Sequence, residues 1–172
     1  MTDLPRIHRK WAMPSRHTFT IKPIAALLSQ HPIGDEWVDP FAGFNIPAGI
    51  TNDLNPDVPS LHHLPALDFL RGLEDHTAPG VLFDPPYSSR QVAECYRSIG
   101  REVTSEDTRA TFWSHCKDEI ARVIRPGGTV ISFGWSSQGM GKTRGFEMTE
   151  ILLVPHGGPH YDTIVTVEVK TR

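Results

Sequence analysis

Cysteine is scarce in this chain. Cys95 and Cys116 are its two thiols in 172 residues, too few for a disulfide framework or a four-cysteine zinc site, which points to a reducing, cytoplasmic setting. No apolar run approaches the ~18 residues of a membrane-spanning helix. The opening MTDLPRIHRKW lacks the apolar stretch of a secretory leader, so no membrane partner is expected. Net charge is small as well, −3, which argues against a generally sticky polycation. The charge is unevenly placed, however. Residues 1–22 hold Arg6, Arg9, Lys10, Arg16 and Lys22 against Asp3, about +4, which leaves about −7 for the remainder and allows a local basic face. Apolar residues make up 38% and charged residues 22%, a globular balance that excludes a mostly disordered chain. At ~100–200 residues per domain, the length suits one core. No repeat or long linker divides it, and an irregular basic arm over 1–17 before a single domain over 18–172 is expected.

Punctuation by proline and glycine separates the periodic segments. Pro23 suits the first turn of a helix bearing Ile24, Leu27 and Leu28. Trp37-Val38 leads into the loop Asp39-Pro40-Phe41-Ala42-Gly43, and Ile50–Asp53 forms a second short strand. Residues 61–74 fit a weak strand followed by a short helix. Gly80–Phe83 has the composition of a buried strand and ends at Asp84-Pro85-Pro86-Tyr87. Ser88 or Ser89 can cap a helix with Val92, Tyr96 and Ile99 on one face and Gly100 as its stop. A further helix starts at Ser105 and carries the stripe Trp113, Cys116, Ile120 and Ile124 until Pro126-Gly127-Gly128 ends it. Both cysteines suit helix core. Thr129–Phe133, Ile151–Val154 and Thr163–Val169 are strands, the last two an antiparallel hairpin. Strands alternating with helices predict an α/β, doubly wound, mostly parallel sheet.

In such a sheet, ligands bind beyond the carboxyl ends of the strands. Asp39–Gly43, Asp53, Asp84–Tyr87 and Gly134–Trp135 all fall at such ends. Asp-Pro alone is ordinary turn chemistry. Asp-Pro-Pro-Tyr after an apolar strand is more specific, because two prolines fix the backbone and remove two amide donors. A carboxylate and an aromatic ring are thereby held in fixed relation.

Those residues resemble a known family. Val81-Leu82-Phe83-Asp84-Pro85-Pro86-Tyr87 is similar to the catalytic motif of S-adenosylmethionine-dependent amino-methyltransferases, especially the DNA adenine N6 group. Trp37–Gly43 resembles that family's cofactor loop, and Asn52–Pro56 resembles the strand end whose carboxylate, here Asp53, holds the ribose hydroxyls. Thr18–Pro23 is similar to the segment that closes over the methionine part of the cofactor. The likeness spans roughly residues 18 to 170. It implies a Rossmann-like methyltransferase fold with a mostly parallel seven-stranded sheet. It also implies S-adenosylmethionine as cofactor, with Phe19, Lys22, Pro23, Asp39, Pro40, Phe41, Gly43, Asp53 and Asp84 binding it. Asp84, Pro85, Pro86 and Tyr87 are then catalytic: the Asp84 carboxylate and Pro85 carbonyl accept the amine protons, and Tyr87 stacks on the extruded base. A cytosine C5 enzyme would need a nucleophilic cysteine in Pro-Cys context, which neither Cys95 nor Cys116 has.

Two features depart from the family pattern. The loop after Gly43 lacks a full G-x-G, and Leu64-Pro65 stands where relatives often place an acidic residue near the cofactor adenine. No segment is long enough for a target-recognition domain. DNA is the expected partner ahead of RNA, with low sequence specificity unless a homodimer or separate specificity subunit supplies it. Arg6, Arg9, Lys10, Trp135, Lys142 and Arg144 are the nucleic-acid contact candidates. The 134–145 segment is either a mobile loop over the base or a solvated connection. The nine histidines, among them His62, His63, His156 and His160, show no spacing for a shared metal and suit surface or capping roles. The alternatives are methylation of a cytosine N4 or RNA base amine, or a catalytically silent subunit with the same fold.

Overall fold

The computed structural model describes residues 4–44, 47–102 and 110–171. The strands are β1 (Arg6–Arg9), β2 (Val38–Asp39), β3 (Ile50–Thr51), β4 (Ala78–Phe83), β5 (Ile124–Gly134), β6 (Phe146–Val154) and β7 (Thr163–Lys170). The helices are α1 (Lys22–Leu28), α2 (Ala66–Arg71), α3 (Ser89–Ser98) and α4, described from Ala110 to Val123. One seven-stranded sheet runs in the order β1-β6-β7-β5-β4-β2-β3. β7 lies antiparallel to both β5 and β6, and the other pairings are parallel. The expected class and C-terminal hairpin are both present.

Alternation along the central strands sends side chains into two cores. Val81 and Phe83 on β4, with Val130 on β5, pack against Phe69 and Leu70 of α2 and Cys116, Ile120 and Val123 of α4. Leu82, Ile131 and Phe133 face the other way, toward Ile24, Leu27 and Leu28 of α1. Period 2 in the sheet and the 3–4 spacing in the helices thus agree. Ser88 caps α3 by accepting the Gln91 N–H at 3.3 Å, and Gly100 takes φ 72° just past its end. The expected start of the next helix at Ser105 lies outside the described residues. Lys170, on β7, finishes α4: its buried ammonium donates to the Ala121 and Ile124 carbonyls at 2.6 and 2.9 Å.

Several expectations need correction. The arm is not irregular throughout, since Arg6–Arg9 pairs in parallel with Glu150–Leu153 of β6. Arg6 meets the nearly buried Glu150 carboxylate at 2.9 Å. Where residues near 62 would extend a strand, one isolated bridge joins Asn52 and His62. β1 therefore supplies the seventh strand. Ile124 belongs to β5, and β6 begins at Phe146, five positions before the expected Ile151. Cys116 is in the core with its thiol pushed up to about 12 by burial, whereas Cys95 is exposed. His156 is buried, joining the Ala12 carbonyl at 2.8 Å to the Thr163 hydroxyl at 2.9 Å.

Gly80 has no room for a side chain, because a β-carbon there would lie 2.3 Å from the Trp37 ring. Gly80→Ala is expected to lower unfolding stability by about 1–3 kcal/mol through overpacking. An unchanged midpoint in chemical denaturation would show that the ring moves aside freely.

Candidate active site

The Asp84–Tyr87 turn leaves the carboxyl end of β4, and its four residues are held from three sides. The Trp113 indole N–H donates to the Pro86 carbonyl at 3.1 Å, and the Tyr87 N–H donates to Gln91 Oε1 at 2.6 Å. The Tyr87 hydroxyl donates to Asp84 Oδ1 at 2.7 Å, and Thr18 also hydrogen-bonds Asp84. Asp84 is partly exposed by surface area yet enclosed by its neighbours. That enclosure raises its carboxyl to about 6, against the opposing pull of the Tyr87 and Thr18 hydrogen bonds. Burial and the adjacent Asp84 charge push the Tyr87 phenol above its ordinary range, which keeps it a donor.

Two cavities flank this turn, and both are lined by Pro85, Pro86 and Tyr87. The larger, about 430 Å³, also takes in Pro40, Phe41, Asp53 and Asp84 among the expected residues, within the ~300–1,000 Å³ of small-molecule sites. Asp53 is tied into the floor, its Oδ2 accepting from the Gly43 N–H at 2.9 Å and its Oδ1 from the Asn55 N–H at 2.8 Å. Asp39 lies fully buried beneath the loop. Its Oδ1 accepts the Phe41 N–H at 3.0 Å, whereas Oδ2 has no partner among the described residues. Burial holds this carboxyl well above the usual range, and the charges of Asp84 and Asp53 reinforce the shift. The smaller cavity, about 300 Å³, lies toward β5 and includes Trp113, Phe133, Trp135 and Ser132. The buried Ser132 Oγ has no partner among the described residues.

Other expected residues lie elsewhere. Phe19 packs on Phe133 at 5.1 Å between ring centroids rather than lining the larger cavity. Lys22 is exposed on α1, and Pro23 lines a separate 140 Å³ cavity with Arg6, Lys10 and Glu150. Trp135 reaches the turn, but Arg6, Arg9, Lys10, Lys142 and Arg144 line neither flanking cavity. Arg144 is occupied by Asp118 at 2.7 Å, the Ser114 hydroxyl at 2.9 Å and the Met140 carbonyl at 3.1 Å. The second half of the 134–145 segment is anchored as well. Buried Glu168 accepts the Met140 and Gly141 N–H groups at 2.5 and 3.1 Å, and Lys117 donates to the Gly139 carbonyl at 2.5 Å.

Sequence reasoning gave no role at this cavity to Arg16 or to the α3 residues Gln91, Val92 and Cys95; Thr18, from the segment likened to a cofactor-closing one, lines it as well. Asn52, within the Asn52–Pro56 likeness but given no role of its own there, joins the Pro40 and Leu64 carbonyls through its amide at 3.2 and 3.0 Å. Helical spacing identified the face of α3 carrying Val92, but nothing local marks the partners of Thr18 or Asn52.

Comparison with solved structures finds the same overall fold. A 1,6-didemethyltoxoflavin N1-methyltransferase of Burkholderia thailandensis, solved with bound S-adenosylhomocysteine, superposes with a TM-score of 0.56 at 13% identity. The match covers 87% of this chain and 76% of that one. The chain has the methyltransferase fold. A candidate methylase from Haemophilus influenzae matches over 98% of this chain and 99% of its own, with a TM-score of 0.54 and 11% identity. A candidate methyltransferase in complex with the Haloferax volcanii Trm112 activator reaches 0.57 at 14% identity, covering 91% and 90%. No protein-family model matches the chain, and comparison with curated proteins finds no significant match. Among the described residues, no helix is long and apolar enough to cross a membrane, and no group of three potential metal ligands converges.

Proposed function

We propose that this chain is an S-adenosylmethionine-dependent methyltransferase acting on an exocyclic amine of a nucleobase, adenine N6 of DNA in the first instance. The observation that carries this reading is the Asp84–Tyr87 turn standing as a common wall between two cavities. The larger cavity is the one we assign to the cofactor: Asp53 lines it with a carboxylate suited to ribose hydroxyls, and Pro40 and Phe41 form part of its wall. When bound, S-adenosylmethionine supplies an activated methyl group and its own leaving group. The chain's residues have to position the acceptor. A ring amine is a poor nucleophile because its lone pair is delocalised. Hydrogen bonds from its protons to Asp84 and to the Pro85 carbonyl orient that lone pair, while the aromatic lining of the smaller cavity holds the base.

The acceptor role requires the Asp84 carboxylate. With a carboxyl near 6, kcat for methyl transfer is expected to fall as pH drops below about 6 and to level off above it. The matching stability effect has the opposite sense. The folded chain holds this proton more tightly than the unfolded one, so the group's contribution weakens stability as pH rises from 3.8 toward about 6. A pH–rate profile flat from pH 5 to 8 would count against the assignment.

Incubation with isotopically labelled cofactor and with DNA or RNA, followed by mass spectrometry of the nucleosides, tests the reading directly. N6-methyladenine from DNA is the expected product. N4-methylcytosine or a methylated RNA base would reassign the acceptor, and cofactor binding without any product would leave a silent subunit.

A further inference from the structure

Tyr87 is the inner end of a ladder of rings. Its ring meets Trp135 edge-on, with centroids 5.7 Å apart and planes at 71°, and Trp135 lies over Tyr161 at 4.5 Å and 35°. The three rings come from separate places: the turn after β4, the loop after β5, and the connection between β6 and β7. Exposure grows outward along the ladder. Tyr87 is half-buried, Trp135 is 38% exposed and Tyr161 is 71% exposed. Tyr161 is not needed to close its hairpin, which is already held by the β6–β7 ladder and by His156 against Thr163.

We propose that Trp135 and Tyr161 form a stacking platform for the nucleobase adjoining the one held at Tyr87, so that the preferred substrate is single-stranded nucleic acid. This rests on the function proposed above and specifies its substrate form. Every base has a π-face, so aromatic platforms bind unpaired strands with little regard to sequence. In a duplex those faces are covered by neighbouring base pairs, and each extruded base has to leave the stack. The platform is continuous with the Asp84–Tyr87 turn through the Trp135–Tyr87 contact, which places the adjoining nucleotide beside the target. Nothing in the flanking connections is built to enter a groove. β4 passes to α3 through residues 84–88, and the 135–145 connection holds a single 3₁₀ turn, Lys142–Arg144, locked by Arg144 to α4. Arg16, exposed on the rim of the larger cavity, is the cation available to a phosphate there.

The test is fluorescence anisotropy with labelled single-stranded DNA, RNA of the same sequence, and duplex DNA. Wild-type protein is expected to bind one or both single strands more tightly than duplex, and the tighter of the two identifies the sugar. Tyr161→Ala is expected to weaken single-strand binding by about 10-fold or more, with Tyr161→Phe near wild type because the ring is kept. Trp135→Ala should act in the same direction, and thermal melting of each variant checks the fold. Single-strand binding left intact by Tyr161→Ala overturns the platform while leaving the methyltransferase reading in place. A change in the sedimentation of the free protein in place of weakened oligonucleotide binding assigns the rings to contact between copies, and also overturns it. A wild-type chain that binds the cofactor but no nucleic acid of any form overturns both.

Discussion

Asp84→Ala is expected to lower methyl transfer by about 100–1,000-fold, the scale of removing one preorganised polar group from a reacting centre, while cofactor affinity stays within a few fold. The carboxylate is the side-chain acceptor at the turn, and Tyr87 and Thr18 both direct hydrogen bonds to it. Removal of that carboxylate leaves the acceptor amine with no charged partner to orient its lone pair. The rest of the larger cavity, including Asp53, Pro40 and Phe41, does not depend on Asp84 for its position. Asp84→Asn separates two parts of the effect. It keeps a carbonyl acceptor but removes the charge, so partial activity without the inflection near pH 6 is expected. Single-turnover rates with the cofactor saturating, set beside calorimetric cofactor affinities, are the measurements that decide. Near-normal turnover in Asp84→Ala would move the catalytic role elsewhere.

Asp53→Ala should weaken cofactor binding by about 10–100-fold, the equivalent of about 1.5–3 kcal/mol for a charge-assisted hydrogen-bond site. Two consequences add. The ribose hydroxyls lose their acceptor, and the Gly43 and Asn55 N–H groups lose theirs. Gly43, at φ 59°, loses its anchor to Asp53, while the loop before it stays tied to Asn52 through the Ala42 N–H at 3.0 Å and the Pro40 carbonyl at 3.2 Å. A chain that keeps wild-type cofactor affinity after this change would place the ribose contact on another residue. If affinity falls together with the melting temperature, the loop-anchoring part dominates. Asp53→Asn, which can still accept from one of the two N–H groups, is expected to restore the melting temperature more than the affinity.

Much of the candidate site was legible because its signals are local. Two consecutive prolines after an apolar strand dictate a rigid turn at Asp84–Tyr87 whatever lies around it. The loop at Asp39–Gly43 and the carboxylate of Asp53 follow strand ends in the same way, and the doubly wound pattern places strand ends together. The stripes on α1 and α4 were equally direct, since spacings of three and four need nothing beyond the helix itself. Charge alone did not show the pairings of the basic residues. Arg6 and Arg144, expected as nucleic-acid contacts, are each paired with a carboxylate far away in sequence.

The sequence by itself determined the fold class, the order of its principal elements and the rigid turn at Asp84–Tyr87, because hydrophobic period, proline geometry and glycine conformation act between near neighbours. Tertiary structure alone decided that Arg6–Arg9 becomes a strand, since its side chains are all exposed and only the free edge of β6 gives its backbone a partner. It also decided that Thr18 reaches Asp84, that Glu168 ties down Met140 and Gly141, and that Tyr161 completes the ladder begun at Tyr87. These groups stand 27 to 66 positions from the ones they touch, apart from the Trp135–Tyr161 step within the ladder. No periodicity records such pairings, and the parallel crossovers of the sheet bring them together only once the chain has folded.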